Sequence, residues 1–191
     1  MEWFTSDTHW GHENVLRYDN RPFSSIEEHD EELIRRWNVC VQPGDIVYHL
    51  GDVAWHNKQV DVERLLKRLR GTKILICGNH DQKSVVKAEG WAKVTPYHEI
   101  TIQGQKICLF HYRMTVWNRS HHGSWALHGH SHGTLPVSVT SKTLDVGTMC
   151  WSYAPVSFPE IATAMQGKIF VPVDAHGKKT FMGLTTNGRE A

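Results

Sequence analysis

The first half of the chain alternates short apolar runs with segments whose apolar residues recur at helical spacing, and this alternation restricts the fold more than any other feature. Each of three predicted strands is followed by a loop and then by a predicted helix. The predicted strands are 2–6, 45–50 and 72–77, and the predicted helices are about 26–40, the segment from Val62 to Leu69, and one or two turns within 82–89. Because strands joined through helices run parallel, we expect a parallel or mostly parallel sheet covered by helices.

The second half of the chain is dominated by short strands. Its predicted strands are 98–103, 105–112, 124–128, 143–147, 168–173 and 180–184. The first two lie on either side of Gly104, and the alternation of their residues is that of the two arms of a hairpin. Gly177 lies in the turn between the last two. A short helix is predicted from Ser157, with Glu160 in its first turn, to Gly167. Since no repeat or linker interrupts the pattern, we expect a single domain over 1–191, with two β-rich layers and helices outside.

Composition restricts the partners and the compartment. Lys and Arg number 21 and Asp and Glu 20, so the net charge of +1 does not predict a nucleic-acid partner. The apolar run at Trp3 and Phe4 is too short for a secretory signal, and no run approaches the roughly 18 to 20 residues of a membrane helix. We therefore expect a cytoplasmic protein without a membrane segment. The four cysteines lie far apart and are expected to be buried free thiols.

Polar residues follow apolar runs at five places, and these residues are the candidates for chemistry. Ligand sites of α/β sheets collect at the carboxyl ends of strands, so we expect the side chains to converge. The candidate metal ligands are Asp7, His9, Asp52, Asn79, His111, His130 and His132. Carboxylate, amide and imidazole ligands without a thiolate suit Mn, Fe, Co, Ni or Zn better than Ca or Mg. The 14 histidines of the chain agree with a metal-binding role.

Seven candidate ligands are more than one transition ion needs. A carboxylate such as Asp52 can bridge two ions about 3.5 to 4 Å apart, as it does in two-metal hydrolytic sites. Two divalent ions carry more positive charge than Asp7, Asp52 and a bridging hydroxide return, so the site stays positive. A positive site favours a phosphate-like ligand and stabilises a phosphoryl transition state. We therefore predict two divalent transition ions and a small phosphorylated substrate.

Five blocks in this order resemble the calcineurin-like metallophosphoesterase superfamily. They are Asp7-x-His9, Gly51-Asp52, Gly78-Asn79-His80-Asp81, His111 and Gly129-His130-Ser131-His132. The third and fifth blocks are each fairly specific, whereas Asp-x-His alone is weak. The stretches 6–12, 20–23 and 145–147, with 155–157 before the last helix, look like a small single-domain bacterial and phage branch of that superfamily.

The resemblance implies a fold and a role for each matched position. The fold would be a four-layer αββα sandwich of two mixed sheets flanked by helices. The first ion would be held by Asp7, His9, Asp52 and His132, and the second by Asp52, Asn79, His111 and His130. A hydroxide between the ions, with Asp52 bridging them, would attack phosphorus in line, and His80 would protonate the leaving oxygen. Mn is the ion most expected, with Fe, Ni, Co and Zn as alternatives.

Two departures from the protein-phosphatase branch favour phosphodiester chemistry. That branch continues its Gly-Asp block into Asp-Arg-Gly and ends its next block in Glu, whereas this chain reads Gly51-Asp52-Val53-Ala54 and ends in Asp81. We expect a phosphodiesterase acting on a small, nucleotide-like ester. A phosphomonoesterase, a nuclease and a non-catalytic scaffold on the same fold remain as alternatives. Nucleases of the superfamily carry additional DNA-holding domains, and scaffolds tend to lose ligands that persist here.

Several polar residues near the blocks allow two interpretations. His12, Asn14 and Arg21 follow the first block and Arg113 follows the fourth, so each is placed to contact substrate oxygens. Arg21 could equally pin its loop to a carboxylate. Asp81 either orients His80 or caps the helix that follows.

The remaining histidines and one tryptophan are less informative. His49 and His128 precede metal blocks, where each either faces away from the site or supports a ligand. Trp117 either borders the pocket or packs beneath its loop. The histidines interpreted as surface residues are His29, His56, His98 and His176.

Overall fold

A computed structural model describes residues 1–56 and 58–174 of the chain. In chain order the strands are β1 (Glu2–Thr5), β2 (Ile46–His49), β3 (Thr72–Ile76), β4 (Trp91–Thr95), β5 (Tyr97–Ile102), β6 (Gln105–Phe110), β7 (Trp125–His128), β8 (Thr143–Asp145) and β9 (Val156–Ser157). The helices are α1 (Glu13–Tyr18), α2 (Ile26–Cys40), α3 (Gln59–Arg68), α4 (Lys83–Val86) and α5 (Phe158–Met165), with 3₁₀ turns at Ser120–His122 and Thr148–Trp151. The strands form two mixed sheets, as predicted.

The first sheet has the strand order β4-β3-β2-β1-β9. Strands β1 to β4 are parallel, and β9 pairs antiparallel with β1. Alternate side chains face opposite sides of the sheet, so Val47 and Leu75 pack in one core with Leu33 and Trp37 of α2 and Leu66 of α3. This helix layer holds the parallel strands so that their carboxyl ends lie at one edge.

The second sheet has the strand order β5-β6-β7-β8. The predicted hairpin is confirmed: β5 and β6 are antiparallel, and Gln103 and Gly104 turn with φ of 48° and 82°. Strands β6, β7 and β8 are parallel. The core that joins the two sheets includes Phe4, Ile76, Ile107, Leu127 and, from α5, Ile161. The sheets therefore stack face to face, and their parallel strands end near one another.

A loop covers the other face of the second sheet. Trp117 is buried there against Cys108 and Ala126, and its indole N–H donates to the carbonyl and hydroxyl oxygens of Ser124 at 3.2 and 3.0 Å. Of the two interpretations of Trp117, the structure supports packing beneath the loop.

Three elements of the first sheet's half were not predicted, and the shortest of them is the two-residue strand β9. Residues Glu13–Tyr18 form α1 where a loop was expected; only Val15 of this helix is buried, so no apolar period marks it. Residues Trp91–Thr95 form β4 at the edge of the sheet, with Ala92 and Lys93 exposed. An edge strand with polar, exposed positions lacks the apolar alternation on which strand prediction depends.

The predicted strand at 168–173 is wrong. Ile169 and Val171 donate their N–H groups to the carbonyls of Val139 and Thr140, but the segment has no regular strand structure. Ile169, Val171 and Val173 are exposed, Phe170 is half-buried against Trp117, and Pro172 lacks the N–H that a ladder requires. The other predicted strand, 180–184, the turn at Gly177 and His176 lie outside the described residues.

The described residues contain no helix with both the length and the apolarity needed to cross a bilayer. All four cysteines are free thiols, as expected. Cys108 is buried and Cys40 and Cys77 are half-buried, but Cys150 is exposed, which corrects the expectation of burial for that residue. Cys150 lies in the 3₁₀ turn after Gly147 rather than in an apolar run.

Candidate metal centre

Five loops converge at one edge of the stacked sheets. Three follow β1, β2 and β3 of the first sheet, and two follow β6 and β7 of the second. The predicted ligands that they carry are Asp7, His9, Asp52 and Asn79 from the first sheet, and His111, His130 and His132 from the second. The structure therefore brings together side chains that are up to 125 residues apart in sequence (7 to 132).

The backbone of these loops is bent into a conformation that L-residues rarely adopt. The predicted ligands with φ in the left-handed region are Asp7 (56°), His9 (53°), Asp52 (57°), His130 (66°) and His132 (47°). Such residues cost about 1 to 3 kcal/mol each and cluster at functional sites. A Cβ atom added at Gly78 would collide with the Asp52 carboxylate, and one at Gly129 with Asp7, which explains the glycine that opens each of these blocks.

The first ligand group consists of Asp7, His9 and His132. The Nε2 atom of His132 lies 3.4 Å from Nε2 of His9 and 3.6 Å from Oδ1 of Asp7. Its Nδ1 atom lies 2.6 Å from Oδ2 of Asp19, which accepts the Nδ1–H hydrogen bond. With the proton on Nδ1, the lone pair of Nε2 points toward the other two ligands.

The second ligand group consists of Asp52, His111 and His130. The Nδ1–H of His111 donates to the carbonyl oxygen of Leu50 at 2.7 Å, which leaves Nε2 as the ring atom that faces the site. That Nε2 lies 3.4 Å from Oδ2 of Asp52 and 3.0 Å from Oδ1 of Asn79. Asn79 therefore joins this group.

Asp52 lies between the two groups. Its Oδ2 atom is 3.8 Å from Nε2 of His9 in the first group and 3.4 Å from Nε2 of His111 in the second. Its Oδ1 atom accepts the main-chain N–H of His80 at 2.9 Å, which fixes the carboxylate. A carboxylate in this position can serve two ions at once.

Burial dominates the electrostatics of the site. It raises the pKa of the Asp7 carboxyl to about 7 and lowers the pKa of His9 to about 2. Burial also disfavours the ionised form of Asp52, but the hydrogen bond and charge of His111 outweigh it and lower that pKa to about 2. The Asp19 hydrogen bond and the Asp7 charge outweigh burial at His132 and raise its pKa. A bound cation would therefore stabilise the ionised form of the buried Asp7 carboxylate.

The donor set fits divalent transition ions. Nε2 of His9 and Nε2 of His132 face each other, and Nε2 of His111 faces the amide oxygen of Asn79. Two lone pairs at hydrogen-bond distance repel each other unless a proton or a metal ion lies between them. Imidazole nitrogens mixed with carboxylate and amide oxygens are the ligands of Mn, Fe, Co, Ni and Zn.

His80 lies beside the ligand groups without belonging to either. Its ring is exposed, 5.8 Å from the His9 ring and 5.5 Å from the Trp55 ring between centroids. His12 is close as well, with its ring 5.4 Å from that of His9 and stacked on Trp55 at 4.5 Å. Both predicted residues therefore lie at the mouth of the site, and Trp55 is a neighbour that the sequence did not single out.

Asp81 has neither of the roles considered for it. Its Oδ2 accepts the N–H groups of Asp52 and Gly78 at 3.0 and 2.7 Å, and its Oδ1 accepts that of Val53 at 2.9 Å. The N-cap of α4 is Gln82. The Asp81 carboxylate therefore ties the loop after β2 to the loop after β3.

Arg21 is corrected from a substrate contact to an internal support. Its guanidinium is fully buried and donates to the main-chain oxygens of Asp7 and Thr8 and to the Asp19 carboxylate, at 2.9 to 3.1 Å. His29, interpreted as a surface residue, is also buried. Its Nε2 accepts a hydrogen bond from Arg21 at 2.9 Å. Arg21 thus pins the first ligand loop, the second of its two interpretations.

The other uncertain residues differ in position. Asn14 is exposed on α1. Arg113 donates to the carbonyl of Pro136 at 3.4 Å and lines a neighbouring cavity of about 330 Å³ that none of the seven ligands lines. His49 and His128 are buried and belong to neither ligand group. His56 and His98 are half-buried rather than fully at the surface.

Two supports of the ligands escaped the sequence analysis. Asp19 orients His132, and Asp145 accepts the N–H groups of Gly133 and Gly147 at 3.1 and 2.8 Å. Asp19 lies in a stretch of turn-forming residues, where an aspartate is common for local reasons. Its proximity to His132, 113 residues later, follows only from the fold.

Similar proteins have been found by sequence and by structure. An uncharacterised protein of Methanocaldococcus jannaschii, MJ1445, is 34% identical over 171 residues, covering 86% of this chain and 91% of that protein. The Gene 66 protein of Mycobacterium phage L5 is 27% identical over 180 residues, covering 78% and 86%. The crystal structure of AQ665 of Aquifex aeolicus, a protein of unknown function, superposes with a TM-score of 0.67 at 25% identity, covering 86% and 98%.

The family comparison covers the ligand blocks themselves. Residues 3–152 match the model of the calcineurin-like phosphoesterase superfamily domain. This range contains all seven ligands and His80. The chain therefore belongs to the calcineurin-like phosphoesterase superfamily.

Proposed function

We propose that the protein is a phosphodiesterase that uses two divalent transition ions to hydrolyse a small, nucleotide-like phosphate ester. Membership of the superfamily supports the class, a metal-dependent phosphoesterase. The observation that carries the proposal is the pair of adjacent ligand groups, with Asp52 facing a histidine of each.

The residues can be divided between two ions. The first would be held by Asp7, His9, Asp52 and His132, and the second by Asp52, Asn79, His111 and His130. When bound, the ions would lower the pKa of a water molecule and offset the charge of the phosphate. We propose Mn²⁺ as the native ion, because it accepts this mixture of imidazole and oxygen ligands; Fe, Co, Ni and Zn share the preference.

His80 would supply the proton that the leaving group needs. An alkoxide leaves poorly, and imidazole is the side chain best suited to proton transfer at neutral pH. The His80 ring is outside both ligand groups and exposed, so its nitrogens are accessible to a substrate. Its main-chain N–H donates to Asp52, which holds His80 beside the two ligand groups.

The environment of two arginines favours a diester over a monoester. A dianionic monoester is bound more strongly where guanidinium groups are free to donate hydrogen bonds to its oxygens. Arg21 is committed to Asp19 and to main-chain carbonyls inside the protein, and Arg113 contacts the carbonyl of Pro136. Phosphomonoesterase activity is the alternative that the same assay measures.

The proposal is tested by hydrolysis and metal content together. Wild-type protein loaded with Mn²⁺ is expected to hydrolyse bis-p-nitrophenyl phosphate faster than p-nitrophenyl phosphate. Asp52→Asn should lose bound metal and activity together, since Asp52 serves both ions. His80→Gln should keep its metal and lose about 100-fold or more in kcat on esters of poor leaving groups.

Two matched variants serve as controls. Asp61→Asn changes an exposed carboxylate of α3, and His98→Gln changes a half-buried imidazole of β5, both away from the ligand groups. Both should match the wild type in metal content and rate. Failure of the wild type to hydrolyse either ester with Mn, Fe, Co, Ni or Zn would reject the enzyme proposal.

A further inference from the structure

Trp55 is a large aromatic side chain left exposed at the mouth of the metal centre. It is 38% exposed, whereas Trp10 and Trp37 are each 1% exposed. Its chain neighbours Val53 and Ala54 are buried. Trp55 is therefore not required to fill the core, and its position calls for another explanation.

The Trp55 ring is held in a fixed place. The main-chain N–H of Trp55 donates to the carbonyl of Trp10 at 2.7 Å, which fixes the backbone, and the His12 ring stacks on the indole with 14° between the planes. The next residue is also tied down, because the carbonyl of His56 accepts from the Ser84 hydroxyl at 2.7 Å. An aromatic surface that is already ordered loses little conformational freedom when a ligand stacks on it.

The same ring lies on the side of the site where the leaving group must be. Its centroid is 5.5 Å from that of His80, the proposed donor of a proton to the leaving oxygen. Whatever is attached to that oxygen therefore extends beside His80, and Trp55 is the exposed aromatic surface there.

We propose that Trp55, backed by His12, is the subsite for a flat aromatic ring on the leaving group. The substrate class is a phosphodiester whose leaving group is a nucleoside, with its base stacked on the indole. This inference rests on the proposed phosphodiesterase function. Stacking on an aromatic side chain suits any base, because every base has a π face, and it is worth enough to set specificity.

The kinetic test compares two diesters that share the same non-leaving group. One has a phenyl leaving group and the other a fluorinated alkyl group of matched acidity, so that only the flat ring differs. Trp55→Leu should lower kcat/KM for the phenyl ester about tenfold, within the range for loss of one stacked ring, and change the alkyl ester less than about twofold. Trp55→Phe should restore most of the difference.

A binding test needs no turnover. Calorimetry on Mn-loaded protein compares adenosine 5′-monophosphate, ribose 5-phosphate and inorganic phosphate. The wild type should bind the nucleotide about tenfold more tightly than the sugar phosphate, and Trp55→Leu should bind the two alike. Inorganic phosphate should bind both proteins equally. His98→Gln, which changes a half-buried ring of β5 away from the ligand groups, is the control and should behave as the wild type.

The outcomes separate this inference from the function on which it rests. Equal losses on both esters in Trp55→Leu would show that Trp55 only positions His80, and would overturn the subsite. Unchanged nucleotide binding in that variant would overturn it as well. A wild type that hydrolyses neither ester and binds no phosphate would instead reject the proposed function.

Discussion

The tautomers of the site histidines are set by acceptors outside the ligand groups. Asp19 accepts from Nδ1 of His132, and the carbonyl of Leu50 accepts from Nδ1 of His111. In each case Nε2 faces a carboxylate of the site, and it would offer its lone pair to an ion bound there. The acceptors thus orient two imidazoles for metal binding in the metal-free protein.

Asp19→Asn should weaken metal binding and, because Asp19 also pairs with the buried Arg21, lower the stability of the fold as well. The amide oxygen can still accept from His132, but without the negative charge that makes the imidazole a better ligand. We expect metal affinity to fall about tenfold, the lower end of the range for such supporting residues. Metal titration followed by calorimetry measures the change, with Asp61→Asn as the control. Unchanged affinity in Asp19→Asn would mean that the negative charge of Asp19 contributes nothing to metal binding.

His49 should make the protein sensitive to acid. Its Nδ1 accepts from the Gly51 N–H at 3.2 Å, and its Nε2–H donates to the Thr8 hydroxyl, which itself donates to the carbonyl of Val53. The buried ring is therefore neutral, and burial lowers its pKa from 6.5 to about 3. Below pH 6.5 His49 binds a proton in the unfolded chain but not in the folded protein, so the free energy of unfolding falls as the pH drops.

The expected slope from His49 is about 1.4 kcal/mol per pH unit between roughly pH 6 and 3. Urea denaturation of the metal-free protein at pH 7.5, 6.0 and 5.0 measures it. His49→Asn, whose side-chain oxygen can still accept from Gly51, should be less stable at pH 7.5 and lose less on acidification. Parallel stability curves for the two proteins would contradict the assignment.

At the scale of elements, the sequence predicted the strands and the polar residues at their ends. It did not predict the residues that hold those polar side chains in place. Apolar runs located β1, β2, β3, β6 and β7, and the polar residues after them gave all seven candidate ligands, which the structure brings together. The irregular stretches carried less signal: α1 buries one residue, and β4 is an edge strand. Contacts such as that of Asp19 with His132 join loops far apart in sequence, so no local pattern could reveal them.

The starts of α2 and α5 were also predictable, because capping is local. At α5 the Ser157 hydroxyl accepts from the Glu160 N–H, and the Glu160 carboxylate accepts from the Ser157 N–H, as the spacing indicates. At α2 the Ser25 hydroxyl accepts from the Glu28 N–H, but the Glu28 carboxylate bonds to Ser24 instead. Only α5 therefore has the reciprocal pair.

Ser157→Ala should destabilise the protein more than Ser25→Ala. Loss of an N-cap hydroxyl costs about 1 kcal/mol, and at α5 the same change also removes the hydroxyl's contact with the Glu160 carboxylate. Urea denaturation of the metal-free proteins measures both costs. Metal affinity should be unchanged in both, since neither helix carries a ligand. An equal or larger cost for Ser25→Ala would show that the contact of the Ser157 hydroxyl with the Glu160 carboxylate adds no stability.

At the scale of the whole molecule, each ligand group combines both sheets. Asp7 and His9 come from the first sheet and meet His132 from the second, and Asp52 from the first meets His111 and His130 from the second. The sheets already contact through an apolar core and through the His130 N–H, which donates to Asp7. Bound ions would add a further connection between the two sheets, at the edge where their shared apolar core ends.

Metal should therefore stabilise the loops of both sheets together. At 100 times its dissociation constant, a ligand of the folded state adds about 2.7 kcal/mol, or roughly 5 to 10 °C in Tm for a chain of this size. Mn²⁺ should produce this shift in the wild type and His98→Gln, EDTA should reverse it, and Asp52→Asn should lack it. Hydrogen exchange should slow at residues 78–81 of the first sheet and 129–132 of the second. Slowing confined to one of these loops would show that the ions do not join the sheets.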